Sequence, residues 1–487
     1  MRLWLLAFVS FSFLLFSYYL GIAVPFIWPD EVLFFNPAQD WYLNKTMRTS
    51  VLSGLIPGMD THTLWNSPLY MLLLGSSFHI WEDNLFNSRM FSSLIGFLSV
   101  FVTYIFMQKQ LSNTTSNFDK KYISFSKNIP ILVAIVILTD ILFIKVSHTS
   151  RMETLCILMG IIALYLCYNN KYFISGLFLG LSFVSHPFGA FYGIPVAYLI
   201  FRMNFQSKIS ILKILILVAV GGIIPLICWS FYLVPNWDDF LIQYGAQLSR
   251  KKDLFQTFTQ LDKVKIFFSG YYFPIPKLIS FIAIICYAIY IERKGRNREL
   301  IQFHFVWLIS MVIGFYFSTE SWYVVHAAFP LACLFALSVS EKVYPLLIIG
   351  GQILLLIWFT WSFSIKENAF ASNDIFMKKV EEIASDSDNI YLQLIPDPYF
   401  HLKEKYPEKK LFEFIPGELP IAGDFMKPTI NKMDLFLFYD DSLANSTIRS
   451  IIQDSTQFEK TYIEIPYSSY VPAKGPWKIF AYKRIRK

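Results

Sequence analysis

The sequence predicts a multi-pass α-helical membrane protein that ends in a small α/β domain, and three observations carry that expectation. Hydrophobic residues fill 55% of the 487 positions and aromatic residues 18%, while charged residues fill only 16%, against roughly 25% in an ordinary soluble domain. Apolar runs of about 20 residues, the length that crosses a hydrocarbon core of about 30 Å, recur along the chain. Near residue 365 the composition turns polar and the pattern changes to short alternating segments. A soluble cytosolic enzyme is excluded, because 49 Phe, 28 Tyr and 12 Trp residues supply more apolar surface than soluble domains of this length bury. The net charge of +7 does not point to nucleic acid, since the Lys and Arg residues fall mainly in short loops between apolar runs.

About eleven spans are expected on length alone, at 3–27, 89–108, 129–147, 152–168, 172–185, 187–202, 211–234, 273–291, 303–318, 321–340 and 343–363. The fifth and sixth are short and meet at Ser185-His186-Pro187. Cytoplasmic loops retain Lys and Arg. Arg2, the Lys109 to Lys127 loop, Lys171, the Arg202 to Lys213 loop and the Arg293 to Arg298 loop therefore alternate on one side. An odd number of crossings puts the N-terminus inside and the C-terminal domain outside. The first span is too long for a signal peptide and runs into Trp28-Pro29-Asp30 without a small-residue cleavage site, so it reads as an uncleaved anchor. The predicted site is the plasma (inner) membrane.

Residues 1–364 thus form the membrane domain and 365–487 the extracytoplasmic one. The first external loop, 28–88, carries amphipathic stretches at 32–44 and 69–81, apolar enough to lie in the membrane interface. In the C-terminal part, 389–394, 434–439, 461–466 and 477–484 read as strands, and 372–385 and 442–454 as helices. The five cysteines, Cys156, Cys167, Cys228, Cys286 and Cys333, all fall in predicted spans, so neither a disulfide framework nor a zinc spacing is present. No P-loop is found.

The most informative feature is Asp30-Glu31, two carboxylates where the first span leaves the membrane. Ionisable groups at such depth are costly and tend to be functional. The plainer reading is that they start an interfacial helix, where acids favour the dipole and cap N–H groups. Further motifs follow: Asn66-Ser67-Pro68-Leu69-Tyr70, Arg89 before the second span, Ser150-Arg151-Met152-Glu153 before the fourth, His186 in the Ser-His-Pro junction, and Trp322-Tyr323 before the tenth.

This order and spacing over residues 1–340 resemble the protein O-mannosyltransferase-like group of GT-C membrane glycosyltransferases, which includes the lipid A aminoarabinose transferases. The resemblance implies a GT-C fold and transfer of a sugar from a polyprenyl-phosphate donor to an envelope glycan, lipid A or protein. It maps the family's catalytic acidic pair onto Asp30 and Glu31, its second acid onto Glu153, its Pro-Pro-Leu-Tyr segment onto Ser67-Pro68-Leu69-Tyr70, and its Arg onto Arg89. The chain departs from the group at Leu33-Phe34-Phe35-Asn36, where an Arg-Tyr-Ala-Glu-like stretch is usual. It departs again at Asn66-Ser67-Pro68, where the aminoarabinose transferases have Glu-Lys-Pro. Relatives with monophosphate donors generally need no metal, so no cofactor is expected.

Such a transfer needs a carboxylate to take the acceptor's proton, assigned to Asp30, and a cation for the leaving phosphate. Arg89, Arg151, Arg250 and Lys251 are outer-side cations, and His186 and Tyr323 supply further contacts for donor phosphate or substrate. Each has an ordinary reading beside it. The loop cations bind anionic lipid headgroups, Glu153 pairs with Arg151, His186 is a satisfied interfacial residue, and Tyr323 belongs to an aromatic belt. His62, His148 and His326 are further histidines near span ends. Asp140 and Lys145 are expected to pair with each other within the third span. The competing class is a transporter or flippase of lipid-linked substrates, which typically shows internal repeats and mid-membrane charges; no clear repeat is found.

Overall fold

A computed structural model of the chain describes residues 2–20, 27–114, 128–205, 211–269, 274–294, 297–318, 320–338, 351, 354, 369–413, 423–465 and 477–485. Helix α1 (Arg2–Leu20) precedes two helices of the first loop, α2 (Pro29–Asn44) and α3 (Leu69–Ser77). The long α4 (Leu85–Thr114) follows. A bent pair comes next, α5 (Ile129–Leu138) and α6 (Ile141–Ser147), at 65° to each other. The break has a cause in the sequence: Asp140 leaves helical geometry and its carboxylate accepts from the N–H groups of Leu142 and Phe143, capping the second half. Asp140 also accepts from Lys277 Nζ at 2.6 Å. The expected pair with Lys145 is therefore not formed; Lys145 instead stands over the Trp322 ring at 5.0 Å.

Helices α7 (Glu153–Tyr168) and α8 (Tyr172–Ser185) form an antiparallel hairpin. A 3₁₀ turn at Pro187–Tyr192 leads into α9 (Gly193–Asn204), and then comes α10 (Ile211–Leu233). Small residues allow α8 and α10 to touch backbone to backbone. A Cβ at Gly176 would lie 2.0 Å from the Val218 carbonyl oxygen, and one at Gly180 2.3 Å from that of Gly222. The membrane part continues with α11 (Trp237–Thr257), α12 (Gln260–Ser269), α13 (Pro274–Arg293), α14 (Arg298–Ser318), a 3₁₀ turn at Ser321–Val324 and α15 (Val325–Ser338).

Among the described residues, four helical stretches are long and apolar enough to cross a membrane by themselves, or five if the bent pair counts as one span. The expected count of eleven spans is not established among the described residues; the span at 343–363 lies outside them, as does the end of the first. The first part of helix α2 is buried, and its last two residues are exposed. Val32, Leu33, Phe34, Phe35 and Ala38 are all buried within the protein, with Phe34 edge-on to Tyr70 and Phe35 edge-on to Phe400.

The C-terminal part begins with α16 (Ala369–Ala384) and contains α17 (Tyr399–Lys405), α18 (Gly423–Ile430) and α19 (Ser446–Ile452) around one sheet. Strands β1 (Asn389–Gln393), β2 (Lys410–Glu413), β3 (Leu435–Phe438), β4 (Phe458–Ile465) and β5 (Trp477–Arg484) run in the order β2-β1-β3-β5-β4. The first three are mutually parallel, and β5 is antiparallel to β3 and β4. The apolar runs of β1 and β3 are buried on both faces, as parallel strands require. Four strands fall on the expected segments; β2 was not anticipated. This part packs directly on the first loop: the N–H of Asp397 donates to the carbonyl of Ile27 at 2.9 Å, and the two parts share one apolar core.

Candidate functional site

The site is built around the first turn of α2. Pro29 occupies the first helical position, where its missing N–H costs nothing, and Asp30 and Glu31 follow in the electropositive first turn. The two carboxylates diverge completely. Glu31 is fully buried. Its Oε1 accepts from the Trp28 N–H at 3.1 Å and from Arg89 Nη2 at 2.6 Å. Its Oε2 accepts from Arg89 Nε and from the Ser150 N–H, both at 2.9 Å. The helix-start role therefore belongs to Glu31, and the bidentate pair with the equally buried Arg89 ties α2 to α4. The adjacent Tyr70 hydroxyl bonds Ser92 Oγ at 2.6 Å and Ser150 Oγ at 3.1 Å.

Asp30 points the other way, and its side chain is 48% exposed. Its Oδ2 accepts from Arg151 Nη1 at 2.6 Å. Arg151, 3% exposed, also donates through Nε and Nη2 to Glu153 Oε1, at 3.0 and 2.7 Å. Three of the five guanidinium N–H donors are thus engaged, which leaves donors on both Nη atoms for an anion. Trp322 stacks over Arg151 at 5.2 Å and meets Trp28 edge-on at 5.7 Å. The positive charge between Asp30 and Glu153 is supplied by this arginine. Among the described residues no three His, Cys, Asp or Glu side chains are grouped closely enough to hold a metal ion.

Asp30 and Arg151 open into a cavity of about 320 Å³, within the range of small-ligand sites. Its far wall carries His186 and Tyr323. His186 Nδ1 accepts from the Phe188 N–H at 3.0 Å. The ring proton of the neutral imidazole is therefore assigned to Nε2, which donates to the Tyr323 hydroxyl oxygen at 3.1 Å. Of the four histidines near span ends, this alone lines the cavity: His62 pairs with Asp239, His148 bonds Ser17, and His326 bonds Tyr192.

The predicted residues separate into groups. Asp30, Arg151, His186 and Tyr323 line one cavity, and Glu153 holds Arg151 from behind. Glu31 and Arg89 form a buried pair beside it and are not among the lining residues. Arg250 and Lys251 belong to α11, whose Tyr244, Gln247 and Leu248 line the cavity, but their side chains lie outside the described part of the structure. Glu320, a second acid on the rim, had not been singled out, whereas Asn66 and Ser67 had been, as part of the departing motif. Ser67 Oγ is buried and makes no hydrogen bond within the structure. Its signal was the helix-starting Pro68 beside it, which confines the preceding residue to extended backbone.

Under the site sits a carboxyl of the C-terminal part. Asp397 is fully buried, and burial pushes it up to about 7.

No family model and no curated protein matches the chain. Solved structures do, two of them of one protein. The crystal structure of ArnT from Cupriavidus metallidurans bound to undecaprenyl phosphate aligns with a TM-score of 0.58, and that of the same protein in the apo state with 0.60. In both, sequence identity is 10%, and the alignment covers 98% of this chain and 97% of the other. Over nearly its whole length, the chain has the ArnT-like GT-C fold, with its C-terminal sheet included.

Proposed function

We propose that the protein is a glycosyltransferase. It moves a sugar from a polyprenyl-phosphate donor to an envelope acceptor, a glycan, lipid A or a protein, at the outer face of the plasma (inner) membrane. The observation that carries this reading is the half-exposed Asp30, held by the buried Arg151 at the mouth of a cavity, in a fold shared with a protein crystallised with undecaprenyl phosphate. ArnT is a lipid A aminoarabinose transferase of the GT-C class.

In this reading Asp30 takes the proton of the acceptor hydroxyl as its oxygen bonds the anomeric carbon and the bond from that carbon to the phosphate oxygen breaks. Arg151 holds Asp30 in place through the bond from Nη1. Its remaining Nη donors and the Tyr323 O–H stabilise the charge developing on the departing lipid phosphate. Glu153 orients Arg151, and Glu31 with Arg89 fixes the start of α2. A second cavity of about 500 Å³, walled by Pro68, Leu69, Leu72, Leu177, Leu181 and Ile224, offers the apolar surface that a prenyl chain requires. The N-terminus is cytoplasmic and the C-terminal domain extracytoplasmic.

The test is transfer by purified protein from a panel of radiolabelled polyprenyl-phosphate sugars, comparing wild type with Asp30→Asn. Loss of turnover with retained folding is expected in the variant. Equal activity in both would remove Asp30 as base, and absence of transfer from every donor would favour a transporter or flippase.

A further inference from the structure

Helix α2 divides two cavities. At about 100° per residue, Asp30, Leu33 and Phe34 share one face and line the transfer cavity, while Asn36 and Gln39 lie on the opposite face. That second face lines a separate cavity of about 550 Å³, between the first loop and the C-terminal domain. Four lysines surround it, Lys403, Lys409, Lys410 and Lys432, against a single acid, Glu408.

Two of these lysines have structural tasks. Lys409 Nζ donates to the carbonyls of Ala384, Ser385 and Ser387 at the end of α16, at 2.8, 2.5 and 2.8 Å. Lys403 Nζ donates to the Pro407 carbonyl at 2.6 Å. The other two, Lys410 and Lys432, are exposed and meet no carboxylate among the described residues. A solvated lysine surface is normally interspersed with acids; here the charge is concentrated in a concavity, where opposing walls focus its field.

The walls are held firmly. Gly54, at φ +70°, approaches Thr429 so closely that a Cβ would lie 2.2 Å from its Oγ1. Asn36 Oδ1 accepts from Ser50 Oγ at 3.1 Å and from the Val51 N–H at 3.4 Å. Asn36, Ser50, Ser53 and Tyr399 supply neutral hydrogen-bonding groups beside the lysines.

We propose that this cavity is a second anion-binding site that takes a phosphate-bearing ligand, either a soluble phosphate or the headgroup of a lipid. Binding there is independent of the transferase reading; it deepens that reading by giving a phosphorylated acceptor a dock across α2 from Asp30. The ligand's phosphate oxygens accept from the Lys410 and Lys432 ammonium groups, and charge-assisted bonds of this kind carry the affinity.

The experiment is isothermal titration of the full-length protein in detergent with sodium pyrophosphate and, separately, with dioctanoyl phosphatidic acid, dioctanoyl phosphatidylcholine serving as the uncharged comparison. The same titrations are run on K410E/K432E and on K379E/K427E, which makes the same charge change at exposed lysines of the domain outside the cavity. Binding is expected in wild type, weakened at least about tenfold in K410E/K432E and unchanged in K379E/K427E. Pyrophosphate binding with this dependence supports the site with a soluble ligand, and phosphatidic acid binding alone supports it with a lipid one. Binding of neither, equal binding in K410E/K432E, or equal weakening in both variants overturns the proposal. No sugar donor is present, so the result stands whether or not the protein transfers sugar.

Discussion

Two neighbouring carboxylates should fail in opposite ways when their charge is removed. Glu31→Gln replaces a buried carboxylate whose two oxygens accept four hydrogen bonds from Trp28, Arg89 and Ser150. The amide keeps one oxygen and turns an NH₂ group toward donors. Arg89, 1% exposed, then loses the carboxylate that it grips with two donors. Breaking a buried pair in this manner costs about 3–5 kcal/mol, which for a protein of this size lowers the melting temperature by roughly 3–5 °C. Asp30→Asn removes a charge that is 48% exposed, and Arg151 retains Glu153. Its stability cost is about 1 kcal/mol or less, while loss of the proposed general base should slow transfer by about 10²–10⁴-fold. Thermal unfolding in detergent by tryptophan fluorescence, run beside the transfer assay, separates the two effects. The reasoning fails if Glu31→Gln melts within about 1 °C of wild type, or if Asp30→Asn is as destabilised as Glu31→Gln.

Ser67→Ala should leave stability unchanged or raise it slightly, because it removes a buried hydroxyl with no partner; KM for the donor or acceptor should rise by about fivefold, the worth of one hydrogen bond, as steady-state kinetics would read. Gly180→Val places a methyl-bearing carbon against the Gly222 carbonyl and should destabilise the α8–α10 pair by about 1–3 kcal/mol, measured as a lower melting temperature without a change in KM. Asp397 is held up to about 7 by burial, from 3.8. Its native state therefore keeps a proton that the unfolded chain releases, so its contribution to stability is complete below about pH 4 and is lost as pH rises through 7. Melting temperature should fall between pH 5 and pH 8 in wild type, and fall less in Asp397→Asn.

The parts of the site that were legible in the sequence are those carried by local spacing. Asp30-Glu31 after a span, and Arg151 two residues from Glu153 at the start of another, mark where costly charges gather. What spacing could not give is direction. Consecutive helical residues point about 100° apart, which is how Asp30 reaches a cavity while Glu31 reaches Arg89 58 positions away. Long-range partners were hidden for the same reason: Asp140 pairs with Lys277, 137 positions on, instead of with the nearer Lys145. The Ser-His-Pro junction was readable as a helix break because Pro187 cannot continue the hydrogen-bond ladder. Strand β2 was not, since four residues at a sheet edge carry too little alternation to register.

The contact between Asp397 and Ile27 has a consequence in time. The backbone that precedes Asp30 is held by residues made long after it: Asn36 and its neighbour Tyr399 are 363 positions apart. At about 5–20 residues per second, the first helices wait roughly 20–70 s for that support to be synthesised. During this interval the start of α2 lacks one of its anchors, so the transfer cavity reaches its final shape only after the sheet has folded. A chain interrupted before residue 397 would insert its early helices without completing the site.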